Sequence, residues 1–191
     1  MFQPSGESAH GAPVSKLKQE IAQQRPFASV GEEALLNLLR TADCVTRSFQ
    51  RSTRRWGITS TQYNVLRILR GAHPEGLTCS AIGDRMITAD PDITRLLGRL
   101  KTLKLIRQQR DKRDRRVVWT HISPAGLELL AEMDPTVQKM PEEIIGHFNQ
   151  AELGEFIRLL ELARAYCQDS APVSCDGATS ADGNSCAQAS N

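Results

Sequence analysis

The sequence predicts a mainly α fold with a small two- to three-stranded β wing, a winged helix-turn-helix unit set between further helices. Three observations predict it. Apolar residues recur at helical spacing through most of the chain from residue 31 to 167. The period drops to two over one short stretch, residues 105–122, which a charged loop divides. Charge is concentrated in the same place: ten basic residues against Asp111 and Asp114 between Arg95 and Arg116 give +8, in a chain of net +2, so the remainder sums to −6. Such a local cationic footprint on an otherwise acidic chain is suited to meeting phosphate.

Each element has its own signal. Residues 1–30, rich in Gln, Ser, Pro and Gly, read as a flexible N-terminal arm with a short helical piece over Ser15–Gln24. Leu35, Leu38, Leu39, Ala42, Val45 and Phe49 form the stripe of a first long helix, from near Gly31 to Arg55 or Trp56, stopped by Gly57. Thr59-Ser-Thr-Gln62 is a capping box, and Tyr63, Leu66 and Leu69 follow it as the apolar face of the second helix. Thr78 caps a short third helix carrying Cys79, Ile82, Met86 and Ile87. Asp90-Pro91 reads as an Asp cap with Pro at the first helical position, opening a fourth helix with Ile93, Leu96, Leu97, Leu100 and Leu103.

Leu105-Ile106-Arg107 then reads as a short strand, Asp111–Arg116 as a charged loop, and Val117–Ile122 as the returning strand. Ser123-Pro124 opens a linking helix assigned to residues 123–140. The last amphipathic helix, 150–167, carries apolar residues on more than one side (Leu153, Phe156, Ile157, Leu159, Leu160, Leu162), more than a single packing stripe needs. Residues 168–191 hold almost nothing large and apolar and read as a disordered tail. One unit, 31–167, remains.

Several function classes are excluded by what is missing from the sequence. With 40% hydrophobic residues the chain can bury a sizeable core, yet no run approaches the ~20 apolar residues of a membrane span. The N-terminus lacks the basic-then-apolar pattern of a signal peptide, and five cysteines, an odd number without CxxC spacing, suit a reduced interior, so a cytoplasmic location is expected. No Gly-rich phosphate loop, HExxH, GxSxG or paired-carboxylate motif appears, and His73, His121 and His147 are scattered. The chain is therefore read as no enzyme, with no cofactor, no metal site and no membrane partner.

Helix, helix, short helix, turn, helix and basic hairpin, in that order, is the layout of a winged helix-turn-helix. A helix fits the major groove of B-DNA and shows its N-terminal side chains to base edges. Asp92, Thr94 and Arg95 stand at that end of the fourth helix, while Ile93, Leu96 and Leu97 face the core. Arg95 and Arg99, four apart, share a face. The hairpin tip carries Lys112, Arg113, Arg115 and Arg116 to the backbone, with Lys112 or Arg113 directed at the minor groove. A second basic cluster holds Arg47, Arg51, Arg54 and Arg55.

Four pieces, taken in order, carry a resemblance to a known family: the T-R-L-L-x-R-L run at Thr94–Leu100, the D-x-R-D-x-R loop at Asp111–Arg116, the S-x-x-G start at Ser123–Gly126, and the opening Ile58-Thr-Ser-Thr-Gln62. Over residues 31–167 the chain resembles the MarR family of bacterial winged-helix transcription regulators. The resemblance implies double-stranded DNA as partner and a homodimer paired through helices at about 31–56 and 150–167. It also implies a pseudo-palindromic operator with half-sites roughly 34–36 Å apart, and a small aromatic effector in a cleft near Arg47, Phe49, Trp56 and Tyr63. A thiol-sensing branch makes Cys44 and Cys79 redox candidates, although both also read as small buried hydrophobes. In the family the recognition helix commonly reads L-L-D-R-L, its Asp pairing with a wing Arg. Here Gly98 takes that place and leaves Arg116 without that partner, so Asp111 or Asp114 substitutes locally or the wing is looser. The competing readings are a redox-sensing regulator of the same fold and a winged-helix protein-interaction module. The basic stretch argues against the latter, because partner-binding surfaces are depleted in charge.

Overall fold

The computed structural model describes residues 16–88 and 92–169. Most of the predicted N-terminal arm, the Asp90-Pro91 helix start and the predicted tail beyond Asp169 lie outside the described residues. The chain divides into two compact units after Ile144.

In the first unit a short helix α1 (Leu17–Glu20) precedes α2 (Val30–Thr53). Ser29 caps α2 by accepting the Glu32 N–H, and Glu32 and Glu33 lie where the helix dipole favours anions. The helix tightens into a 3₁₀ turn, Arg54–Trp56, and stops at Gly57, whose φ of 69° is the left-handed conformation that closes a helix. The Thr59/Gln62 capping box forms in both directions at the start of α3 (Ser60–Gly71). The next elements are β1 (Leu77–Thr78) and α4 (Cys79–Gly83), which ends before Met86 and Ile87. Then come α5 (Ile93–Thr102), β2 (Ile106–Arg110), β3 (Val118–Ile122), α6 (Pro124–Val137) and α7 (Met140–Ile145).

Two corrections follow. The cap of α5 is Asp92, whose carboxylate accepts the Arg95 N–H at 3.0 Å, so the helix starts two residues later than the Asp90-Pro91 pattern implied. The linking helix is two helices: Pro141 has no N–H to return to the Val137 carbonyl, and α6 ends there. The sheet, within the expected two to three strands, has three in the order β1-β3-β2, with Leu77 opposite Thr120 and Ile106 opposite Ile122.

The core runs through every layer of the helix-turn-helix. Tyr63, Leu66 and Leu69 of α3, Ile82 of α4, Leu96, Leu97 and Leu100 of α5, Ile106 and Ile122 of the sheet, and Leu130 and Met133 of α6 form one buried cluster. Burial on the inner face of α5 leaves the opposite face free to meet a partner. Arg70 Nη1 donates to both carboxylate oxygens of Asp134, at 2.8 and 3.0 Å, and ties α3 to α6.

The second unit is built around α8 (Gln150–Asp169). Asn149 caps it by accepting the Ala151 and Glu152 N–H groups, and Glu152 accepts the Asn149 N–H in return. Phe156, Ile157, Leu159, Leu162 and Tyr166 are all exposed on this helix.

Candidate nucleic-acid interface

Helix α5 presents Thr94, Arg95 and Arg99 to solvent, and the β2–β3 loop presents Lys112, Arg113, Arg115 and Arg116. Among the described residues none of these six cations is in an ion pair. An exposed guanidinium without a carboxylate keeps its full capacity for phosphate or guanine. Asp92 has a different task, because its carboxylate holds the first turn of α5 and thereby fixes where Thr94 and Arg95 point.

The wing tip is ordered by one carboxylate. Asp111 Oδ1 accepts the backbone N–H groups of Arg113 (2.7 Å) and Asp114 (3.0 Å), and its Oδ2 accepts the Trp119 indole N–H at 3.1 Å. These donors, the two backbone groups first and then the indole, hold the Asp111 carboxyl below its ordinary value. Asp114 Oδ1 accepts the Arg116 N–H at 2.9 Å. Both aspartates therefore support the loop locally, through its backbone. At Gly98 a Cβ would meet nothing within 4 Å. Thr94, one turn before Gly98 on the same face, lines a groove with Arg116, Gln108 and Cys79.

The effector candidates separate. Phe49 and Tyr63 meet, ring centroids 5.2 Å apart, and line a cavity of about 370 Å³ with Asn64, Arg67, Met86 and Thr88. Burial, then Asp134, pushes the Tyr63 phenol above its ordinary value. Arg47 is not among that lining; it pairs with Asp43 at 2.6 Å and lines a different groove beside Cys44. Trp56 is half-buried against the core with the Arg55 guanidinium 4.0 Å above its ring, a structural stack. Asn64 was not foreseen, although a polar residue beside Tyr63 on the inward side of α3 is a signal. It is only 6% exposed; its Oδ1 accepts the Ile87 N–H at 3.0 Å, while its Nδ2 is buried without a partner. Of the thiols, Cys79 is half-buried, whereas Cys44 is exposed and so not the buried hydrophobe expected, because its position on α2 turns it away from the apolar stripe.

Comparison with known proteins agrees with this architecture. A family model described as MarR family matches residues 56–117. A solved MarR transcription factor from Planctomyces limnophilus is 40% identical, over 72% of this chain and 99% of that one, with a TM-score of 0.56. BpsR of Bordetella bronchiseptica, whose structure concerns regulation of DNA binding by 6-hydroxynicotinic acid, is 24% identical over 69% of this chain and 98% of that one, TM-score 0.61. A mutant MarR of Escherichia coli complexed with operator DNA is 19% identical over 78% and 99%, TM-score 0.61. Fold and exposed cationic face together define a winged helix-turn-helix, DNA-binding transcription regulator. The chain belongs to the MarR family.

Proposed function

We propose that the chain works as a homodimer on a pseudo-palindromic operator and is modulated by a small aromatic acid. The observation that carries the DNA reading is the row Thr94, Arg95 and Arg99, exposed on a helix whose inner face is locked in the core, beside a wing of four cations that form no ion pair among the described residues. Arg95 and Arg99 read guanine edges, Thr94 a thymine methyl or a phosphate, and Lys112, Arg113, Arg115 and Arg116 hold the sugar-phosphate backbone and its minor groove. Dimerisation is supported by apolar side chains left exposed on two helices: Leu35, Leu38, Leu39 and Val45 on α2, and Phe156, Ile157, Leu159 and Leu162 on α8.

The effector reading rests on the Phe49/Tyr63 cavity. Its aromatic wall suits a ring, and Arg67 with the partnerless Asn64 Nδ2 suits a carboxylate or carbonyl acceptor. Selection of bound duplexes from a random pool tests the whole reading. An inverted repeat with one-turn half-site spacing is expected; failure to enrich any sequence, or enrichment of a single asymmetric half-site, overturns it.

A further inference from the structure

The second basic cluster has no place in the reading head. Arg55 leaves it, stacked on Trp56 and bonded to the Thr136 hydroxyl. Arg47, Arg51 and Arg54 remain, and they line one groove of about 740 Å³ whose far wall is Gly57 and Thr59. At about 100° per residue, these three and Arg40 fall within a sector of roughly 60° of α2, opposite the stripe of Leu35, Leu38, Leu39 and Val45. The side of the helix that is short of an apolar partner is therefore not the side that carries the arginines. Arg40 lines an adjoining hollow that shares Arg51 with the groove. Charge in the groove is poorly balanced: Asp43 answers Arg47, whereas Arg51 and Arg54 have no ion-pair partner among the described residues.

We infer that this groove is a binding site for a small ligand carrying two or three linked phosphate groups, separate from the DNA-reading face. Arg47 and Arg51 are one helical turn apart, about 6 Å between their backbone positions along the axis, and Arg54 follows at the start of the 3₁₀ turn. Linked phosphates engage Arg51 and Arg54, two oxygens to a fork, and a further phosphate reaches Arg47 by taking the place of the Asp43 carboxylate. Gln50 also lines the groove and adds amide donors. Thr59 Oγ accepts the Gln62 N–H and still has its own O–H to donate. Buried Ile58 and the exposed Cys44 beside these groups give an organic portion of the ligand a less polar floor. A concave site of this volume suits a small molecule better than the convex rail of a duplex.

Calorimetric titration of the full chain with inorganic tripolyphosphate, at ionic strength held constant with chloride, tests the inference. Saturable binding is expected. Arg51→Ala/Arg54→Ala should weaken it at least tenfold, and Arg51→Lys/Arg54→Lys, which keeps the charge but not the fork, severalfold. Arg113→Ala, on the wing, should leave it within twofold. Both groove arginines are exposed and without ion-pair partners among the described residues, so the variants should melt with the wild type; the lysine pair decides the matter if the alanine pair does not fold. No saturable binding, equal loss in the Arg113 variant, or unchanged binding in both groove pairs each overturns the proposal. Binding of duplex DNA is measured in parallel. A salt slope lowered by about two in the alanine pair would make the groove a backbone contact and also overturn it. Loss of DNA reading with tripolyphosphate binding intact would fault the operator assignment alone.

Discussion

At the scale of single residues, the two kinds of arginine have separable effects. Arg95→Ala is expected to cost about 1–3 kcal/mol and to relax preference at one base position. Arg113→Ala should weaken all duplexes alike and lower the salt slope by about 0.9. Identical behaviour of the two variants on a panel of operator mutants would refute the division. Asp111 makes a pH prediction. Its carboxyl is held below its ordinary value by hydrogen bonds to the charged form, so its support of the wing is complete above the unfolded pKa of about 3.9. That support is lost as the pH falls through the lowered folded value. The Trp119 indole N–H resonance should therefore shift below about pH 4, and in Asp111→Ala it should already be shifted at neutral pH. Asn64→Leu removes a buried donor that has no partner among the described residues, but also the acceptor of the Ile87 N–H. The two effects oppose each other, so the melting temperature should change little, while the effect of aromatic acids on DNA release should be abolished; a retained response argues that the cavity is not the effector site.

Among elements, those with self-contained signals were legible in the sequence. The Thr59/Gln62 box, the Thr78 cap and the Ser123 cap all depend on residues three apart, and all three form. What depends on distant partners was harder to see. Asp90 and Asp92 both suit a cap, and only packing of Leu96 and Leu97 sets the phase. The Phe49/Tyr63 cavity joins α2, α3 and residues 86–88, so Arg47 and Trp56, near in sequence, lay on other faces. The α6/α7 break has a local signal in Pro141, which cannot donate to the Val137 carbonyl. Two glycines differ in kind. Gly98 faces open space, so Gly98→Ala should stabilise by about 1 kcal/mol. Gly98→Asp should also offer Arg116 a carboxylate, and a fall in both stability and operator binding would rule out a missing pairing between this position and the wing. A Cβ on Gly126 would run into the Leu105 carbonyl and Ile122, so Gly126→Ala should lower the thermal midpoint markedly, as calorimetry would report.

For the whole molecule, dimerisation and DNA affinity should fail together. Ile157 is 54% exposed on α8. Ile157→Asp should give monomers by sedimentation and reduce binding to a two-half-site duplex toward that of a single half-site. Retained dimers would move the interface elsewhere. The local cationic excess was legible from composition, since it needs only the order of residues, whereas the arginine groove on α2 required the helix to be wound.

One corner governs how such a molecule can respond. Ser123 donates its N–H to the Leu105 carbonyl (3.0 Å) and its hydroxyl to the Lys104 carbonyl (2.7 Å), while its Oγ accepts the Gly126 N–H (3.1 Å). The end of the reading helix, the root of the wing and the first turn of α6 are thus geared to one residue, with no slack segment between them. Val137, at the distal end of the same α6, borders the aromatic cavity, so the cavity wall and the root of the β2–β3 hairpin share one helix and one hydrogen-bonded corner.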